Sequence, residues 1–476
     1  MAIENTHFGA CRLEKMLASS ESVYFIGIGG INMSSLALLA HRRGLRVGGS
    51  DRMRTELTDR LEREGITVFH EHRAEQVEGF DAVVYTVAIS GDNPEYLRAR
   101  ERGIPCISRS DYMGYLMMAF PRRIGVSGMH GKSSTTSMCA HTFLRAQKSP
   151  TVLSGAELAE MGGAYCLGEG GDFVFEACEY MDSFLDFNPT VAVILNEEMD
   201  HVDYFKSMEQ IRASFGRFAA RTGADGCAVI NGDDENVLRS LEGYEGEEIT
   251  FGVENRAVDF FADSLKECGG CYSCDILKQG VFFCHVDLSV TGRHHVYNAL
   301  AAAAACDRCG LTPREISEGL SSFTGAARRM EKKGFLSGAC VYDDYGHHPT
   351  EIKATLGGAK GLAKGRLICV YQPHTYSRTQ ALLDEFASAF DAADRVFFLD
   401  IYAAREENEW GISSAILAER VGERAVYGGA FKDTAELLSR DASEDDVIVI
   451  MGAGDIYKIY EYLDLKDLND LKDVKA

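Results

Sequence analysis

Short apolar runs separated by amphipathic stretches recur along most of this chain. Val23-Tyr-Phe-Ile-Gly, Val83-Val-Tyr-Thr-Val and Arg123-Ile-Gly-Val-Ser have strand length and are rich in β-branched and aromatic residues. Between them, residues 33–43, 57–64 and 94–102 carry helical patterns. Strand, loop, then helix predicts a parallel sheet with right-handed crossovers. A second set begins at Arg123 and includes Phe173-Val-Phe-Glu and Val191-Ala-Val-Ile-Leu-Asn. A third begins near Cys340, with Val341-Tyr-Asp-Asp, Leu367-Ile-Cys-Val-Tyr, Val396-Phe-Phe-Leu and Val447-Ile-Val-Ile-Met, each followed by a helical pattern. Breaks near Phe120-Pro121 and Gly325 divide the chain into 1–120, 121–325 and 326–476, three α/β domains in series.

Composition narrows the class. The chain has 476 residues, 46% hydrophobic and 25% charged, which is ordinary for a globular protein. A net charge of -23 argues against a nucleic-acid partner, whose phosphates need clustered Lys and Arg. No apolar run approaches the roughly 20 residues that span a bilayer, and residues 1–17 lack the apolar core of a signal peptide. The 14 scattered cysteines read as reduced thiols, and a cytoplasmic location is expected.

Two glycine loops carry the candidate chemistry. Gly27-Ile28-Gly29-Gly30-Ile31-Asn32 follows a strand and opens a helix, where aligned N–H groups favour phosphate. With Asp51 ending the second strand, these residues alone fit a nicotinamide-dependent oxidoreductase, or a tight turn with no ligand. Gly128-Met129-His130-Gly131-Lys132-Ser133 also joins a strand to a helix. There, backbone N–H groups can cradle a triphosphate, Lys132 supplies a point charge, and the Ser133 hydroxyl can reach Mg²⁺. Glu176 ends one apolar strand and His201 closes another, so both can converge on this loop as metal ligands. Glu179, Asp182 and Asp203 read as solvated loop charges. A dehydrogenase has no use for Lys132-Ser133 with Glu176, so the second loop favours ATP chemistry.

Gly128 to Ser133, Glu176-Ala-Cys-Glu179 and Asn196 to His201 together resemble the Mur ligases, which use ATP to join an amino acid to a carboxylate. The likeness extends to Phe25-Ile-Gly-Ile-Gly-Gly, Gly49-Ser-Asp51, Ala88-Ile-Ser-Gly-Asp-Asn-Pro-Glu95, Gly325-Ala-Ala-Arg-Arg329, Asp343-Asp-Tyr-Gly-His-His-Pro-Thr350 and Gln372-Pro-His-Thr-Tyr-Ser-Arg-Thr379. These motifs resemble those of the family's branch that joins L-alanine to UDP-N-acetylmuramate in peptidoglycan precursor synthesis.

The resemblance implies a Rossmann-like N-terminal domain for the uridine nucleotide, a central P-loop ATPase-type domain, and a Rossmann-like C-terminal domain for the amino acid. It implies that Gly128, Met129, His130, Gly131, Lys132 and Ser133 grip ATP, and that Ser133, Glu176 and His201 hold Mg²⁺. His294 and Asn298 would meet the adenosine, and Arg328 the phosphates. Gly27, Gly29, Gly30, Asp51 and His70 would hold the nucleotide sugar, and His347 and Arg378 the alanine carboxylate or its surroundings. The implied reaction phosphorylates the muramoyl carboxylate, and the amine then attacks through a tetrahedral intermediate. A monomer or homodimer is expected.

Four positions depart from the family pattern: Asn32 for Gly, Met129 and Ser133 for Thr, and His295 for Asn. Asn32 and His295 leave room for a relative with a shifted substrate, such as a recycled murein peptide, or for an idle binding protein. Cys268, Cys271 and Cys274 have the short spacing of a metal knuckle, against the alternative of a cysteine-rich turn between two strands.

Overall fold

Three sheets follow one another in the computed structural model, which describes residues 3–201, 204–404 and 406–466. The first contains β1 (Ser22–Ile26), β2 (Arg46–Ser50), β3 (Thr67–Phe69), β4 (Ala82–Tyr85) and β5 (Cys106–Ser108), in the order β3-β2-β1-β4-β5. All its pairings are parallel, as the strand–helix alternation predicts. Every residue of β1 is buried, which is why it reads as one apolar run rather than an alternating one. The chain changes direction between β1 and β4, and a crevice forms where their carboxyl ends diverge.

The central sheet is larger and mixed. It comprises β6 (Arg122–Ser127), β7 (Thr151–Leu158), β8 (Gly163–Cys166), β9 (Asp172–Glu176), β10 (Val191–Ile194), β11 (Cys227–Asn231), β12 (Glu247–Gly252), β13 (Phe260–Cys268), β14 (Cys271–Lys278) and β15 (Val281–Thr291). Their order is β15-β14-β13-β12-β11-β10-β6-β9-β7-β8. β6 lies between β9 and β10 with parallel pairing to both, which sets the phosphate loop at the middle of the sheet. The edges are antiparallel hairpins. One of them contains the cysteine-rich segment: Cys268 faces Cys271 across the two-residue turn Gly269-Gly270, both with positive φ as a primed turn requires. Cys274 and Cys284 are buried in the core, and among the described residues no cysteine joins a metal-ligating group. Cys271 and Cys274, three positions apart on one strand, point to opposite faces, which tells against the knuckle reading.

The helix His294–Arg308 buries residues 298–306 almost completely. Its alanines let it lie close against the helix Lys132–Arg145, and this brings its first turn beside the phosphate loop. The third sheet, β16 (Glu331–Leu336), β17 (Ala339–Asp344), β18 (Leu367–Tyr371), β19 (Arg395–Leu399), β20 (Ala425–Gly429) and β21 (Val447–Met451), has the order β16-β17-β21-β18-β19-β20. Only the β16 edge is antiparallel. Among the described residues no helix is long and apolar enough to cross a membrane.

Candidate active site

The loop after β6 is shaped by two glycines. Gly128 has φ +136 and a Cβ there would lie 3.0 Å from Leu195 Cβ; Gly131 has φ +82 and its Cβ would meet Asn298 Oδ1 at 2.7 Å. Asn196 braces the turn: its Oδ1 accepts from the His130 N–H at 2.8 Å and its amide donates to the His130 carbonyl at 3.0 Å. Lys132 folds back over the loop, donating to the carbonyls of Gly128 (2.6 Å) and Met129 (3.1 Å). Its ammonium also pairs with Glu179 at 3.0 Å.

Glu179 corrects the sequence reading. It is fully buried rather than solvated, and it bonds His201 Nε2 at 3.1 Å as well as Lys132. Burial alone would raise its carboxyl, but Lys132 and then His201 pull it below its ordinary value. Asp182 is likewise engaged, by Ser214 and Arg217, and Asp203 lies outside the described residues. His201 does not end a strand: β10 stops at Ile194, and His201 follows in a loop with φ +49. Ser133 Oγ donates to Glu176 Oε2 at 2.7 Å, and the Gly155 N–H donates to the same oxygen at 2.9 Å. Hydroxyl and carboxylate oxygens meeting at one point beside a phosphate loop suit a hard cation such as Mg²⁺.

Next to the loop, a cavity of about 420 Å³ is lined by Asn231, Glu197, His294, His295, Asn298 and Arg329, among others. Burial holds His294 neutral, with its pKa lowered to about 4, and also lowers His295 well below the ordinary histidine value. Glu197 was not singled out from sequence. Burial raises its carboxyl to about 8, with Asp234 reinforcing and Ser240 opposing, so it lines the cavity as a neutral acid near pH 7.

The C-terminal domain closes this cavity. Arg329, not Arg328, reaches the phosphate loop, donating to Ser133 Oγ at 3.2 Å. Arg328 sits in a positive-φ turn and is spent on its own domain, donating to the Gly452 carbonyl at 2.6 Å and lying over Tyr345. Thr350 donates to Glu198 at 2.9 Å across the same boundary.

His130 is clasped between Glu198 of the central domain and Glu351 of the C-terminal one. Burial opposes its charge, but Glu351 and Glu198 outweigh it and raise its pKa from 6.5 to about 10. The trio His130, Glu198 and His348, whose donor atoms lie within 4.8 Å of one another, forms an ion-pair network at the boundary of the two domains. Because the folded pKa lies above the free one, the stabilisation is complete below the ordinary value of 6.5 and is lost as pH rises towards about 10. The stability advantage of the wild type over His130→Gln, measured by urea denaturation, is expected to shrink across that window. An advantage that stays constant would show that His130 is uncharged in the fold.

The crevice of the first sheet has a volume of about 810 Å³ and is lined by Gly27, Gly30, Asp51, His72, Asn93 and Arg109, among others. Gly29 donates its N–H to Asp51 Oδ2 at 3.0 Å, so the carboxylate fastens the glycine loop. His72, not His70, stands on the wall. His72 is held there by Glu95 at 2.7 Å, while His70 turns towards Glu62 at 3.8 Å. At the amino-acid end, Arg378 binds Asp200 of the central domain at 3.1 Å and lies 3.3 Å from His374 Nδ1. The rings of His374 and His347 are 5.9 Å apart. Burial lowers His347 to about 3 and His374 to about 4, leaving Arg378 as the cation of this group. His374 was missed from sequence, although it stands four residues before Arg378.

Residues 22–121 match the family described as Mur ligase family, catalytic domain; residues 126–306 match the Mur ligase middle domain; residues 328–454 match the Mur ligase, glutamate ligase domain. The chain is 42% identical over 452 residues to the UDP-N-acetylmuramate–L-alanine ligase of Caldanaerobacter subterraneus, covering 94% of this chain and 98% of the relative. It is 43% identical over 443 residues to the enzyme of that name from Acetivibrio thermocellus, covering 92% and 94%. The crystal structure of the UDP-N-acetylmuramate–alanine ligase of Thermotoga maritima superposes with a TM-score of 0.76 at 30% identity, over 93% of this chain and 98% of that one. On these grounds the chain belongs to the Mur ligase family.

Proposed function

We propose that this protein joins L-alanine to the carboxylate of UDP-N-acetylmuramate with conversion of ATP to ADP and phosphate, a cytoplasmic step of peptidoglycan precursor synthesis. The observation that carries the chemistry is the single cleft in which Lys132 and the Ser133–Glu176 oxygen pair meet Arg329 of the C-terminal domain. The choice of L-alanine rests on the relatives named for that reaction.

In this reading, residues 1–120 hold the nucleotide sugar, 121–325 hold ATP, and 326–476 hold the amino acid. The triphosphate lies along residues 128–133, and the adenosine occupies the cavity of His294 and Asn298. Ser133, Glu176 and His201 would hold Mg²⁺, which neutralises charge on the transferring phosphoryl group. Lys132 and Arg329 supply the protein's own cations at the same point. A carboxylate is a poor electrophile until one oxygen can leave as phosphate, so phosphorylation must precede attack by the amine. Arg378 orients the amino acid by its carboxylate, and the buried neutral His347 keeps that pocket from competing with a second cation.

The test is phosphate release. It is expected to require Mg²⁺ and UDP-N-acetylmuramate together and to rise further with L-alanine. Reduction of NAD⁺ without ATP turnover would overturn this reading. A larger rise with a murein tripeptide than with L-alanine would favour the recycling ligase.

A further inference from the structure

The crevice of the first sheet carries a cation that has no partner among the described residues. Arg109 opens the helix Arg109–Leu116 directly after β5, and it lines the crevice. It is half-buried, yet among the described residues it makes no hydrogen bond and no ion pair. Burial pushes its pKa down, with Cys178 and Asp186 opposing weakly. Asp186 is not a free counter-ion, because His7 holds it at 2.7 Å and burial raises its carboxyl. A partly desolvated guanidinium without a carboxylate is unfavourable unless a ligand completes it.

Its position says which ligand. The helix Arg109–Leu116 packs against the segment Tyr180–Asp186, which follows Glu176 and Glu179 directly, with Gly114 close against the Asp186 carbonyl. Arg109 therefore marks the side of the crevice that faces the phosphate loop. The crevice's other arginine, Arg52, is exposed and adjoins Asp51. UDP-N-acetylmuramate brings two anionic groups, a diphosphate and a lactyl carboxylate. The glycine loop 27–30, at the start of the helix Ile31–Arg42, suits the diphosphate. The carboxylate is the group that must travel towards ATP.

We propose that Arg109 holds the carboxylate of the nucleotide sugar at the mouth of the phosphate loop, as a residue that positions the acceptor for phosphorylation. This rests on the function proposed above. The planar fork of a guanidinium matches a carboxylate in two hydrogen bonds, and its charge offsets the repulsion between the incoming carboxylate and the γ-phosphate.

The experiment compares equilibrium binding of two nucleotide sugars to the wild type, Arg109→Lys and Arg109→Gln. UDP-N-acetylmuramate carries the carboxylate; UDP-N-acetylglucosamine is the same sugar nucleotide without the lactyl ether that bears it. The glutamine variant is expected to lose about tenfold or more in affinity for the first and to change little for the second. The lysine variant, which keeps the charge but not the fork, should fall between. ATP binding, unchanged in each, reports an intact fold; if the glutamine variant fails that check, the lysine variant decides. Equal losses for both sugars would give Arg109 to the diphosphate and overturn the proposal, as would no loss for either. A folded wild type that binds neither sugar would instead overturn the functional reading.

Discussion

Lys132→Ala is expected to lower ATP turnover on the order of a thousandfold, the scale on which single preorganised donors act on a developing charge. The ammonium lies over the loop between the Gly128 and Met129 carbonyls, where it can turn to a phosphate oxygen without new ordering. The structure adds a second consequence. Glu179 is fully buried and owes its ionised state first to Lys132, so the substitution leaves a buried carboxylate with only His201 beside it. Breaking such a pair from one side costs about 3–5 kcal/mol. Two defects are thus superimposed in the single variant, one of stability and one of chemistry. The double variant Lys132→Ala/Glu179→Gln separates them: its denaturation midpoint should recover most of the loss while turnover stays at the level of the single variant. Recovery of turnover along with stability would mean that Lys132 serves the fold alone. Near-normal turnover in the single variant would reduce the 128–133 loop to a structural turn.

What the chain reveals in one dimension follows from how local each feature is. β1, β10, β18 and β21 are buried on both faces, and a strand enclosed in that way reads as an uninterrupted apolar run. The phosphate loop is equally legible, since its glycines, lysine and serine are contiguous. Glu179 was misjudged because its partners are 47 and 22 residues away, and nothing near it marks a buried charge. Arg328 and Arg329 are neighbours with the same chemistry. The turn they share, with positive φ at Arg328 and at Met330, sends Arg329 to the loop and Arg328 to Gly452. His70 and His72 lie on either side of Glu71 in the bend after β3, which sends the ring of His72 to Glu95 and that of His70 towards Glu62. The Cys268–Cys274 spacing misled for the opposite reason. A hairpin produces the same short intervals as a metal knuckle, but it sets only Cys268 opposite Cys271 and turns Cys274 to the other face of the strand. Contacts between domains, such as His130 with Glu351, have no sequence signature at all.

Arg378→Lys is expected to raise the KM for L-alanine on the order of a hundredfold, while the KM values for ATP and UDP-N-acetylmuramate stay within a small factor. A small zwitterion offers little apolar area, so its binding must rest on a charge-assisted pair to its carboxylate. His347 and His374, the neighbouring polar rings, are held neutral by burial and cannot supply that charge. Arg378 has a competing duty, because its Nε and Nη2 already reach Asp200 Oδ1 at 3.3 and 3.1 Å. Burial alone would raise the Asp200 carboxyl, but Arg378 pulls it well below the usual range, which marks a strong tie between the central and C-terminal domains. The loss in Arg378→Lys could then reflect a domain set askew rather than a missing ligand. Asp200→Asn discriminates between the two. It removes the charge from the tie but leaves the guanidinium free for a carboxylate. If Arg378 holds the amino acid, this variant should keep an alanine KM within a few-fold of the wild type. If the tie is what matters, Asp200→Asn should reproduce the full effect of Arg378→Lys, with all three substrate constants rising together. An alanine KM unmoved in Arg378→Lys would remove Arg378 from the amino-acid site.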